Sequence, residues 1–189
     1  MPSTNAGLAT YGRPADTSYF SVALKSANPT IPTTADAALT GFETVRVSES
    51  GITPAIDLGK EDPVKDWARM DVLASPSSPS ATLAVPIIDN SVIAKKLKYG
   101  SKNVGTNGSA VFDGTTDVWV VIVDELHNDA DGEPKLLVRT IYPNCVPQQI
   151  EFGTHVKSEL VIDTVTFQCL YDESIHGYWK ELDPVAVSN

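Results

Sequence analysis

Three histidines, two cysteines and 24 acidic side chains are the groups of this 189-residue chain that could build a metal centre or a nucleophilic site. The densest cluster, His127-Asn128-Asp129-Ala130-Asp131-Gly132-Glu133, reads like the opening of a calcium loop. Setting Gly132 at that loop's invariant glycine puts His127 at the first ligand position and Val138 where a bidentate glutamate is required. Two essential oxygens are then missing, and an Asp-Gly turn between two strands accounts for the same residues without an ion. His127, His155 and His176 have no i,i+4 pairing and no neighbouring cysteine, so zinc has no ligand set. No Gly-x-Ser-x-Gly elbow presents a serine. Gly100-Ser101-Lys102-Asn103-Val104-Gly105 is followed by Thr106-Asn107, where a phosphate-cradling loop needs Lys and Ser/Thr, so it reads as a helix stop. Cys145 and Cys169 are too few for a disulfide framework and read as buried thiols. The expectation is a protein with no catalytic residue, no metal and no cofactor, whose work is done by surfaces.

Charge narrows the kind of surface. Fourteen Lys+Arg against 24 Asp+Glu give a formal charge of -10, the wrong sign for neutralising phosphates on nucleic acid. Residues 1–60 carry 4 basic and 5 acidic groups, residues 61–105 carry 6 and 5, and residues 106–189 carry 4 and 14. The whole excess lies in the last segment, where it serves either solubility or an acidic face. No apolar run reaches the roughly 20 residues of a membrane span, and Met1–Gly7 lacks the basic-then-apolar order of a signal peptide. A soluble protein made in a cytoplasm is expected.

The elements that would present these surfaces are mostly strands. Residues 1–40, rich in Ser, Thr, Ala and Pro, read as an N-terminal arm with one strand-like stretch, Tyr19–Leu24, and a capped helical turn over Pro32–Leu39. A period of two begins at Phe42, with Val45 and Val47 on one face, and Ile52–Leu58 and Trp67–Leu73 are further extended runs. Between them lies a charged connection, Gly59–Asp66, far longer than a tight hairpin needs and a candidate interaction loop. Ala81–Ile88 reads as a strand. One helix follows at about residues 90–99, capped by Asp89 or Asn90, with Val92, Ile93 and Leu97 on one face, Lys95, Lys96 and Lys98 solvated, and Gly100 as its stop. Four long strands are then expected at Val118–Leu126, Pro134–Tyr142, Val146–Phe152 and Leu160–Tyr171, before a polar tail. The continuous apolar run Trp119–Val123 calls for cover on both faces, placing Trp119 in the core. Trp67, at the end of the charged loop, is the aromatic suited to an interface.

The order of these pieces resembles the major tail (tail tube) protein of long-tailed bacteriophages, of the type seen in phages of actinobacteria. Asn28-Pro29-Thr30-Ile31-Pro32-Thr33-Thr34-Ala35-Asp36 is similar to that family's Pro-Thr-rich entry into a short helical turn. Ser48-Glu49-Ser50-Gly51-Ile52 resembles its Ser-Glu-Asp-Gly-Ile/Val turn, with Ser50 where an acid is usual. Trp67–Leu73, then Leu97-Lys98-Tyr99-Gly100 followed by Asn103-Val104, match its leucine, Tyr-Gly and Asn-Val spacing. Roughly residues 28–180 are covered.

The resemblance implies a mainly β fold of the tail tube type. In it a β-sandwich or half-barrel spans residues 41–175, with one flanking α-helix, an extended N-terminal arm (1–40) and a C-terminal tail (176–189). It implies a structural virion protein, not an enzyme, whose hexameric rings stack into the tube through which genomic double-stranded DNA is ejected without specific binding. The implied location is the virion tail, assembled in the host cytoplasm, with the tape measure protein and the tail terminator and tip proteins as partners. Subunits that share a barrel would cover the strand edges that are otherwise a liability. Lys60, Glu61, Asp62, Lys65, Asp66 and Trp67 are the expected contacts between rings or subunits. Asp124, Glu125, Glu151, Glu159 and Asp163 are the expected acids of the lumen, where like charge within a Debye length of about 8 Å discourages DNA from sticking. The competing expectations are a tail-completion or connector (terminator-like) protein that forms one ring, and a soluble β-sandwich binding module.

Overall fold

Alternating burial shows how the chain is laid down. In Ser80–Ile87 every second side chain, Ala81, Leu83, Val85 and Ile87, is buried, as a strand with one face on a core requires. The computed structural model describes residues 12–14, 19–59, 64–65, 71–73, 79–128, 134–155 and 160–186. Its strands are β1 (Gly12–Pro14), β2 (Phe20–Leu24), β3 (Glu43–Thr44), β4 (Thr53–Asp57), β5 (Val64–Lys65), β6 (Asp71–Leu73), β7 (Ser80–Ile87), β8 (Trp119–Asn128), β9 (Pro134–Glu151), β10 (Asp163–Cys169), β11 (Lys180–Glu181) and β12 (Val185–Ala186). The helix α1 (Val92–Tyr99) lies between β7 and β8. The fold is mainly antiparallel β with one helix, as expected from the sequence. Ten strands make one sheet in the order β3-β2-β8-β9-β10-β7-β4, with β1 added to β8 and β11 and β12 to β9; β5 and β6 pair separately.

That sheet curls until its flanks meet. Residues 43–48 bond to β2 through the Val45 amide, which donates to the Phe20 carbonyl at 3.0 Å. They bond to β7 through Ser48, whose amide donates to Pro86 O at 2.7 Å, and through Ile88, whose amide donates to Arg46 O at 3.1 Å. The Tyr19 hydroxyl fastens the same corner, donating to Val47 O at 2.6 Å and accepting from Val47 N at 3.1 Å. The enclosed core holds Phe20, Trp119 and Phe167, all fully buried, with Val45, Val85, Val121 and Val165. A second cluster, Ala35, Val120, Ile122, Ile141 and Leu182, covers the opposite face of β8. The run Trp119–Val123 is therefore apolar because both of its faces are covered.

Several local expectations change. The stretch 1–40 is not all arm: β2 is an interior strand, and Ala35 is fully buried. The turn at Pro32–Leu39 is a single reverse turn, with Ala37 N donating to Thr34 O at 3.3 Å. The helix starts at Val92 and is capped by Ser91, whose Oγ accepts from Ala94 N at 3.3 Å; Asp89 supports the cap by accepting from Ser91 N at 2.9 Å. Gly100 ends it at φ +87°. Two expected strands, Pro134–Tyr142 and Val146–Phe152, are one 18-residue strand, β9. The tail is not free either: β11 and β12 pair with β9, and Leu182 is buried.

Candidate functional site

With surfaces as the expected working parts, the question is which polar groups stay free once the sheet forms. Asp124 does not. On β8 its side chain points to the same face as Val120 and Ile122, and the directly opposed Arg139 of β9 meets it there. Arg139 Nε donates to Asp124 Oδ1 at 2.6 Å and Nη2 to Oδ2 at 2.7 Å, with both side chains buried. The remaining Nη1 donates to the Ala37 carbonyl at 2.6 Å, so one guanidinium ties the 34–39 turn to the sheet. Asp124 is thus an interior charge, which corrects its expected place among lumen acids.

Asp163 is also paired. Lys98 Nζ donates to its Oδ2 at 2.7 Å and the Gly153 amide to Oδ1 at 3.0 Å. Burial works against the Asp163 carboxylate, but the hydrogen bonds from Lys98 and Gly153 outweigh it and hold the group below the usual carboxylate range. Lys98 is accordingly buried rather than solvated, because α1 lays it across the end of β10. Lys95 donates to Gly108 O at 2.8 Å. A third internal carboxylate, Asp172, accepts from Lys25 Nζ at 3.2 Å, Asn144 Nδ2 at 2.8 Å and Ser174 N at 2.9 Å, as well as from the Ser174 hydroxyl.

The exposed acids among the described residues are Asp36, Glu43, Glu49, Asp57 and Asp113 in the first part of the chain and Glu125, Glu151, Glu173, Glu181 and Asp183 in the second, and none of them has a Lys or Arg partner among the described residues. Glu125 lies 3.3 Å from His127 Nε2. Glu125 and Glu181 flank Thr140 at a shallow cavity of about 210 Å³ lined by Tyr142 and Trp179. Burial, followed by the negative charges around it, pushes the Tyr142 phenol far up. Of the expected lumen acids, then, Glu125 and Glu151 are exposed, Asp124 and Asp163 are paired inside, and Glu159 lies outside the described residues. Lys60, Glu61, Asp62, Asp66 and Trp67 also lie outside them, and Lys65 is described only by its backbone in β5. Among the described residues no cluster of His, Cys, Asp and Glu could hold a metal ion, and no helix is long and apolar enough to cross a membrane.

Exposed apolar groups form a second kind of surface. The outer edge of β4 has no strand partner among the described residues; its five side chains are all exposed, Ile56 among them, and Leu58 beyond it is 74% exposed. Pro54 blunts that edge by removing one donor. Val111, Phe112 and Phe152 are also exposed. Their signal in the sequence is faint: an apolar pair, Val111-Phe112, inside a Gly/Ser/Thr/Asn-rich loop.

No protein-family model matches the chain, and no curated protein matches it. Among solved structures, a chain in the six-fold symmetrised cryo-EM structure of the anti-feeding prophage baseplate is similar at a TM-score of 0.41 and 11% identity. That likeness covers 93% of this chain and 96% of the other, and is too distant to carry a functional argument.

Proposed function

We propose that the chain is the subunit of a phage tail tube: a structural protein, not an enzyme, whose copies close into six-membered rings that stack around a DNA conduit. The ordered motifs over residues 28–180 support this reading. The observation that carries it is the division of the acids. The interior carboxylates Asp124, Asp163 and Asp172 each take a cation from the same chain, whereas the exposed acids, Glu125, Glu151, Glu181 and Asp183 among them, have no Lys or Arg partner among the described residues. A subunit built this way puts its uncompensated charge on the outside. Six copies carry six times -10, or -60. DNA presents one negative charge per roughly 1.7 Å, so a bore that takes part of this charge repels it and lets it slide. The curl of the sheet modifies how rings would form. Residues 43–48 already join the sheet's flanks within one chain, so neighbours are recruited by the β4 edge and by apolar surface rather than to complete a half-barrel.

Electron microscopy of the purified protein tests this. Hollow tubes of stacked rings are expected. Isolated single rings would favour a connector or tail-completion role, and a protein that stays monomeric at high concentration would favour a binding module; either overturns the tube. A tube whose bore is lined mainly by Lys and Arg would refute the charge argument.

A further inference from the structure

The register of three neighbouring strands gathers charge and aromatic surface on one face. Thr140 of β9 lies opposite Val123 of β8 on one side and Glu181 of β11 on the other, so Glu125, Thr140, Tyr142 and Glu181 point the same way. Trp179, just before β11, packs on Tyr142 with ring centroids 5.9 Å apart and planes at 41°. Further along, this face is the apolar core around Val121 and Cys145. Here it ends in the cavity of about 210 Å³, where two carboxylates stand on the face that these strands otherwise bury. The cavity's lining contains no Lys or Arg. Lys180 alternates to the other face of β11 and lines a different cavity with Ile31 and Leu182. His127, 3.3 Å from Glu125, stands outside the lining. A further observation is independent of the acids. Tyr142 is only 5% exposed and lines the cavity, yet its hydroxyl has no hydrogen-bond partner among the described residues. Burial and then the surrounding negative charge keep that phenol protonated, so a buried polar group faces the cavity unsatisfied.

We propose that this cavity binds an organic ammonium group, held against the Tyr142 and Trp179 rings between the Glu125 and Glu181 carboxylates. The π faces of Trp and Tyr attract a cation, and the methylene or methyl groups next to its charge pack on the same rings. The Tyr142 hydroxyl can accept a hydrogen bond from the guest. Other guests fit less well. The aromatic wall offers a metal ion no ligand, and no cluster of His, Cys, Asp and Glu among the described residues could hold one. A neutral apolar guest would take water from two carboxylates and give them nothing in return. A free amine and a lysine side chain of another protein bring the same group. The inference does not depend on the tube reading, and either can fail without the other.

The test titrates three probes into the full chain at constant ionic strength and follows tryptophan fluorescence, with Trp179 as the reporter in the wall. Choline and 3,3-dimethylbutanol share a shape and differ in charge, and N-acetyl-lysine methylamide carries the ammonium on a peptide. Choline should saturate in roughly the millimolar range and bind about fivefold tighter than the neutral alcohol. Glu125→Gln and Glu181→Gln should each weaken choline about threefold, and the double variant about tenfold. Both glutamates are exposed, so these variants keep the wild-type melting curve. Trp179→Phe should lose most of the fluorescence change. Lysine methylamide binding tighter than choline assigns the site to a partner's lysine, and the reverse order assigns it to a free amine; both uphold the proposal. It is overturned by an alcohol that binds as well as choline, by sodium chloride that gives the same change, by a double variant with wild-type affinity, or by a signal that survives Trp179→Phe intact.

Discussion

Asp124 and Arg139 give the sharpest prediction about what the fold tolerates. Side-chain exposure is 7% and 6%, and three charge-assisted bonds of 2.6–2.7 Å engage each of the three guanidinium nitrogens. Asp124→Asn keeps the shape but strands a buried cation, and breaking such a pair from one side costs about 3–5 kcal/mol. At about 2–4 °C per kcal/mol for a chain of this size, Tm falls by roughly 6–20 °C. Arg139→Met strands the carboxylate instead and also frees the Ala37 carbonyl, adding about 1 kcal/mol. Asp124→Leu/Arg139→Met leaves no unmatched charge and is expected within about 2 kcal/mol of wild type, far from the sum of the single losses. Urea unfolding of unassembled protein, followed by tryptophan fluorescence, measures all four. Single variants that each lose less than about 1 kcal/mol, or a double variant that is additive, would refute the reasoning.

Three further outcomes follow from the geometry. A Cβ on Gly153 would collide with the backbone carbonyl of Ile162 and sit 2.8 Å from its nitrogen, so Gly153→Ala costs about 1–3 kcal/mol in the same titration, while a Cβ on Gly177 meets nothing nearer than 3.5 Å. Asp163 and Asp172 are both held below the ordinary carboxylate range, Asp172 first by the Ser174 hydroxyl. Their contribution is therefore complete above about pH 4 and disappears as pH falls through their lowered values, so the acid limb of the stability curve should flatten in Asp163→Asn/Asp172→Asn. Cys145 and Cys169 lie directly opposite each other on β9 and β10, Sγ to Sγ 3.8 Å, and burial pushes the Cys145 thiol up. Neither should react with a thiol reagent in the folded protein, and both should react in urea.

The legible parts of the sequence were those where a single period dominates. Ala81–Ile87 and Val165–Cys169 alternate cleanly because one face meets the core, and α1 shows its buried stripe of Ile93 and Leu97. The sequence reads β9 as two strands with a break at residues 143–145, and the second of them carries Pro147. The structure accommodates Pro143 and Pro147 at register shifts, where a missing amide donor is harmless. By its type Lys98 reads as solvated, since nothing local shows that α1 lies over Asp163, 65 residues further on. Asp124 reads as exposed for the same reason. Its partner Arg139 is across a hairpin, and the Ala37 carbonyl that completes the site is 102 residues before Arg139. β11 and β12 are two residues each, too short to show any period, and exist because β9 offers them an edge.

The position of β2 sets a timetable for synthesis. Among the described residues Phe20–Leu24 pairs with Trp119–Val123 and with residues 43–45, and Lys25 waits for Asp172. A nascent chain must therefore extend about a hundred residues past β2 before that strand can enter the sheet. Until then its apolar side chains have no core to join, and such long-range closure is intrinsically slow and prone to aggregation. In a cell making many copies at once, the step in greatest need of a chaperone is the arrival of β2.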